Sequence, residues 1–229
     1  MAQAGIHALV GIGVCRWARN RTCLALGIVL GNVLPDVDIL AVAVATIAGW
    51  PTVGLHRTFT HSVFTAALVV MVFCVIGWVS RRPQWKDLGI GLGIGILMHI
   101  LLDFVIWFRG VEILWPLPSN VNFWPPVAGW WGTFELPAEF LCFALLFLVL
   151  HRLANKRGTD LAVSPKLLTW VWLQGLLFVA LWVLAYAWSP WSAGYRFVHG
   201  ALYLPSLGLA IGVTIRMRKT LAGCVEGQQ

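Results

Sequence analysis

The stretch TCLALGIVLGNVLPDVDILAVAVATIAG, residues 22–49, decides the fold. It is apolar for long enough to cross a bilayer, which takes roughly 20 mainly apolar residues. In its middle stands Leu34-Pro35-Asp36-Val37-Asp38, two carboxylates beside a proline that removes a backbone donor and disturbs the helix. Unpaired carboxylates at membrane depth are costly and normally functional, and a bound cation is their natural compensation. One stretch thus predicts both a membrane helix and a polar site inside it.

The rest of the chain agrees. Of 229 residues, 59% are hydrophobic and only 11% are charged, with a mean hydropathy of +0.82. A soluble domain carries about a quarter of its residues as charged side chains, so these charges cannot cover a water-soluble globule. Disorder, whose signature is low hydrophobicity with high charge, is excluded by the same composition. Further apolar runs lie at roughly 60–80, 87–108, 135–151 and 167–188, and a sixth at 197–215 is broken by Pro205 and Gly208. Residues 4–15 are apolar but too short to span. The expected fold is all-α: a single polytopic membrane helical bundle over 1–229, with about six transmembrane helices and a short N-terminal helix. Residues 5–117 carry the polar motifs and 118–229 supply the remaining spans. Between Arg109 and Pro137, four tryptophans (Trp115, Trp124, Trp130, Trp131) and a run of prolines predict a lid-like interfacial segment without a continuous helix. A passive aromatic belt is the plainer reading of the same residues.

The net charge of +7 would suit nucleic acid if it formed a patch, but the basic residues sit in short clusters between apolar runs. No nucleic-acid partner is expected. Placing the Arg81–Lys86 turn in the cytoplasm puts 13 of the 16 basic residues on that side and leaves only Arg57, Arg109 and Arg196 outside. The positive-inside rule then predicts a multi-pass protein of the bacterial inner (plasma) membrane with a cytoplasmic C-terminus. The amino-terminus lacks the basic region of a secretory signal, so residues 1–16 are expected to stay in the mature protein. The five cysteines are odd in number and widely spaced, which supports neither a zinc ribbon nor a redox dithiol.

Polar residues recur at one predicted depth. His99 and Asp103 lie four apart on one helix face, as in helix-borne metal sites. His56 and His61 sit at the outer mouth of the second long run, in His56-Arg57-Thr58-Phe59-Thr60-His61-Ser62, and His7 can reach the same level from the short first helix. The candidate ligands are His7, Asp36, His61, His99 and Asp103. A mixed carboxylate and imidazole set fits one or two divalent first-row ions, zinc or manganese foremost. Asp103 could instead be a counter-ion for Arg57 or Arg109. Glu135 and Glu139 either cap a helix through its dipole or add a carboxylate. His151 reads as a charge capping a helix C-terminus, and His199 has no partner in sequence. Gly89, Gly91, Gly93 and Gly95 lie inside an apolar span, where small residues four apart let helices approach closely.

In their order, Leu-Pro-Asp36-Val-Asp38, His56-Arg-x-x-Thr60-His61-Ser62, His99-x-x-x-Asp103 and Trp115-Pro116, preceded by His7, resemble the YdjM-like family. Its members are described as inner-membrane-associated metal-dependent hydrolases and also labelled LexA-binding. The resemblance spans roughly residues 5–117 and implies a membrane-embedded metal site with hydrolase activity. The chain departs from the family after Asp103, where bulky Phe104–Phe108 replace small or hydroxyl residues.

A metal held this way can acidify water and polarise a phosphoryl or acyl oxygen. The expected function is therefore hydrolysis of a lipid or lipid-linked phosphoester or ester presented by the outer half of the bilayer. Asp38 or His56 would act as general base, and Arg57 and Arg109 would hold an anionic group. The rival reading is a non-enzymatic scaffold or accessory subunit of a membrane protein complex, with the polar cluster structural. Ion transport fits less well, because the carboxylates share one depth and form no relay.

Overall fold

The computed structural model describes residues 4–18, 21–106, 110–122, 130–190 and 192–222. They are almost wholly helical: α1 (Ala4–Val14), α2 (Thr22–Val33), α3 (Ile39–Ala48), α4 (Val63–Val79) and α5 (Pro83–Ile106). A two-stranded hairpin follows, β1 (Val111–Glu112) antiparallel to β2 (Asn120–Val121). Then come α6 (Trp130–Arg157), α7 (Ser164–Ala187), α8 (Ala193–Arg216) and α9 (Arg218–Ala222). Among the described residues, five segments are long and apolar enough to cross a membrane: Thr22–Ala48, Pro83–Val105, Thr133–Arg157, Ser164–Ala187 and Ala193–Arg216. The run read at roughly 60–80 forms α4, whose 17 residues rise about 26 Å. The all-α membrane bundle read from composition is the observed fold.

The chain forms two compact units, residues 10–126 with 221–229, and residues 1–9 with 127–220. In the first, the glycines set the packing. A Cβ placed on Gly27 or Gly31 of α2 would stand 2.5 or 2.3 Å from the Leu88 or Leu92 carbonyl of α5. Reciprocally, Gly91 and Gly95 of α5 press on the Leu24 and Ile28 carbonyls of α2, each at 2.4 Å. The two backbones therefore touch, as small residues four apart allow. Gly89 and Gly93 receive Phe73 and Val70 of α4, so α5 is clasped on two faces. Ala66, Ile96 and Ile100 are buried together, with Val69, Phe104 and Ile113 packed on them.

Pro35 has the effect expected of it. The helix of residues 22–48 breaks into α2 and α3 around a 3-10 turn at Leu34–Asp38.

In the second unit, α6 buries Phe140, Phe143, Phe147 and Leu150 along one face, against aromatic partners including Trp170 of α7 and Tyr203 of α8. Three sequence expectations are corrected here. Pro137 lies within α6, which starts at Trp130, and Pro205 lies within a continuous α8. A proline forfeits a single helical bond, whereas leaving the helix in an apolar setting would orphan many backbone groups. His151 does not end a helix, since α6 runs on to Arg157. Its Nδ1 lies 2.9 Å from the Ser164 carbonyl, and Asn155 bonds its Nε2 at 3.0 Å. Of the Trp/Pro-rich segment, Trp124 lies outside the described residues, as does Arg109.

Candidate metal centre

Three local features deliver side chains to one point of the first unit. The 3-10 turn after α2 turns Asp36 inward, 1% exposed. The 3-10 turn Phe59–His61 ends in His61, which is fully buried. On α5, His99 and Asp103 lie one turn apart and are also buried. Because the glycine seam brings α5 against α2, His99 Nδ1 reaches the Asn32 carbonyl at 2.8 Å. Asn32 stands in the last turn of α2, where carbonyls run out of intrahelical donors.

The donor atoms converge. His99 Nε2 lies 3.0 Å from His61 Nε2 and 3.5 Å from Asp36 Oδ1. His61 Nε2 lies 3.9 Å from Asp36 Oδ1. Asp103 Oδ2 is 3.5 Å from His61 Nε2 and 3.7 Å from His99 Nε2. Tetrahedral ligands about 2.0–2.1 Å from a zinc ion stand about 3.4 Å apart, so these separations fit a shared cation.

Hydrogen bonding sharpens that fit. A carbonyl can only accept, so His99 Nδ1 carries the hydrogen and its Nε2 the lone pair. Thr60 donates its hydroxyl proton to Asp38 Oδ2 at 2.7 Å, so its oxygen accepts from His61 Nδ1 at 2.9 Å. His61 Nε2 is then a lone pair as well. In their neutral forms the two imidazoles therefore aim lone pairs at each other across 3.0 Å, between two buried carboxylates. A metal ion held among them turns that repulsion into attraction, and orientation through the outer nitrogen is how ligating histidines are normally held.

Asp38 has a different place. Its Oδ1 meets His56 Nδ1 at 2.6 Å, while Oδ2 accepts from Thr60 and from the Arg57 backbone N–H at 3.1 Å. This carboxylate organises the loop and leaves His56 Nε2 as the ring's other nitrogen. Asp38, His56 and His61 also group closely enough to hold an ion. Arg57 adopts a left-handed φ of 63° while its carbonyl accepts from Glu112 of β1 at 3.0 Å. Its Nε lies 3.7 Å from Asp103 Oδ2, which agrees with the counter-ion reading and keeps a buried cation beside the cluster. The hairpin segment ties down the same loop: Val63 N–H donates to the Ile113 carbonyl at 2.9 Å and Ser62 Oγ to the Trp115 carbonyl at 2.8 Å.

Of the residues expected from sequence, Asp36, His61, His99 and Asp103 come together, with Asp38, His56 and Arg57 beside them. His7 is fully buried on α1, within the unit of α6–α8. Glu135 and Glu139 are buried in that unit too. Sequence reasoning missed two supports, the Thr60 hydroxyl and the Asn32 carbonyl. A polar Asn four residues before Asp36 in an apolar run was the available signal for the second.

The family model described as YdjM inner membrane protein matches residues 1–192. Inner membrane protein YbcI of Escherichia coli (strain K12) is 32% identical over 187 residues, covering 79% of this chain and 94% of that protein. No solved structure matches the chain.

Proposed function

This chain belongs to the YdjM inner membrane protein family, and from that premise we propose that it is a metal-dependent hydrolase of a lipid or lipid-linked phosphoester. The observation that carries the reading is the pair of opposed imidazole lone pairs between Asp36 and Asp103. Asp36, His61, His99 and Asp103 would hold the ion, and their mixed oxygen and nitrogen donors suit zinc or manganese. Such an ion, when bound, acidifies water and polarises a phosphoryl oxygen.

The chain's own groups do the rest. The Asp38 carboxylate receives the His56 Nδ1 hydrogen, which leaves Nε2 as a base for a proton from water. Asp38 is nearly buried and fixes the ring, and His56 Nε2 is itself buried within the loop. Arg57 offers positive charge to an anionic headgroup next to Asp103. The position of Asp36 and Asp38 within the apolar stretch Thr22–Ala48 supports a substrate drawn from the bilayer. The asymmetry of 13 basic residues against 3 supports a cytoplasmic C-terminus and a site in the outer half of the membrane.

The test is release of inorganic phosphate from phosphatidic acid by purified protein, stripped of metal and reloaded with zinc or manganese. Turnover that returns with metal and is lost in Asp103→Asn bears the reading out. No turnover, together with stoichiometric copurification in a larger complex, would instead favour an accessory subunit. Orientation is checked separately: a cysteine placed in the Arg81–Lys86 turn should resist labelling from outside intact cells.

A further inference from the structure

An apolar groove of about 500 Å³ runs along the seam of α4 and α5, lined by Val63, Ala66, Ala67, Val70 and Met71 on one side. Ile90, Gly93, Ile94 and Leu97 form the other. The spacing along α4 is that of one helix face, and the nine residues from Val63 to Met71 span about 12 Å. Small side chains make its floor: Gly93 has no Cβ and Ala66 is buried.

Both walls end at the metal centre. Val63 stands two residues after His61, and Leu97 two residues before His99. We infer that this groove seats one acyl chain of the lipid whose headgroup lies at the Asp36, His61, His99 and Asp103 cluster. The inference rests on the hydrolase reading for the identity of the headgroup. Its occupant follows from its surroundings, because α4 and α5 are apolar helices of a membrane protein and the medium against them is hydrocarbon. Lipid tails are as apolar as the leucines they touch, so the groove supplies little affinity. What it supplies is position: a chain lying in the seam points its ester end toward the ligands, and a misplacement of about 1 Å can cost about a hundredfold in rate.

Photolabelling of the full-length protein in lipid nanodiscs tests this without requiring turnover. The probe is a phosphatidic acid with a diazirine in one acyl chain. Label should concentrate on residues 63–71 and 90–97, about tenfold above the exposed face of α7. Ala67→Trp, which fills the groove, should abolish that excess, while Leu68→Trp, equally bulky and outside the lining, should keep it. Even labelling of α4, α5 and α7, or equal loss in both variants, overturns the inference. Groove labelling in a protein that never releases phosphate would retain the acyl slot and sink the hydrolase reading alone.

Discussion

Both units of the molecule bury histidines away from water, and His199 of one is used in the opposite way to His61 and His99 of the other. In the unit of α6–α8, His199 is 1% exposed, donates from Nε2 to the Leu136 carbonyl at 2.9 Å and stacks between Tyr195 and Tyr203. In the unit of α2–α5, His61 and His99 spend their outer nitrogens on Thr60 and Asn32 and direct the inner ones at each other and at carboxylates. Burial is the same in both places. Convergence of lone pairs on one point is what separates a ligand from an interhelical hydrogen bonder.

The largest effect should come from removing a converging donor. His61→Ala or Asp36→Asn should lower metal affinity beyond the roughly 10–100-fold typical of losses around the ligands, and so deplete the metal content of the purified protein. Elemental analysis on folded, monodisperse protein reads this directly. Full occupancy in either variant would erase the distinction between the two units.

Next in size is the glycine seam that holds the ligands together. Gly31→Leu drives a side chain into the Leu92 carbonyl, a backbone atom that cannot swing aside. Overpacking of this kind costs about 1–3 kcal/mol, and here it should also lower metal affinity by moving Asn32 away from His99. Gly212→Ala in α8 meets nothing within 4 Å. It should be neutral or stabilise by up to about 1 kcal/mol, with metal content unchanged. Thermal unfolding in detergent compares the pair, and equal melting temperatures would show that α2 and α5 can part without loss.

These contrasts also mark what the sequence could disclose. Hydropathy announced the spans, and charge placement announced the polar interruption, because apolar length and costly carboxylates are local properties. The i, i+4 relation of His99 and Asp103 and the spaced glycines were legible for the same reason. The 3-10 turn could be anticipated from Pro35. What could not be read was pairing across the fold: Asp38 with His56 and Thr60, the Arg57 carbonyl with β1, His199 with a carbonyl beside Pro137. Each joins residues 18 or more positions apart, and two of them act through a backbone group that has no sequence identity at all. The prolines misled in the other direction, since Pro137 and Pro205 sit inside helices that apolar surroundings keep intact.

A smaller change probes the support of a ligand. Thr60→Val keeps shape and removes the hydroxyl that joins Asp38 to His61 Nδ1. His61 then loses the acceptor that fixes its tautomer, and metal affinity should fall about tenfold, at the low end for such outer partners. Thr60→Ser, which restores the hydroxyl, should recover most of it. Affinity from competition with a calibrated chelator is the measurement, and an unchanged value would mean that Asp38 alone orients the ring.

The smallest effect belongs to His199→Phe. The ring remains, so stacking on Tyr195 and Tyr203 and the edge contact with Phe140 persist. What disappears is one hydrogen bond to the Leu136 carbonyl. That oxygen has a second lone pair and the intrahelical partner available to any carbonyl within α6, so it is not left bare. A net loss of about 1 kcal/mol is the ordinary worth of such a bond, and removal of a buried polar ring from an aromatic setting offsets part of it. The melting temperature should therefore drop by a few degrees at most, for a chain of this size. Metal content and phosphate release should not move. A His199→Phe protein that folds normally but loses its metal would show that His199 also serves the ion, and burial without convergence would then be enough to make a ligand.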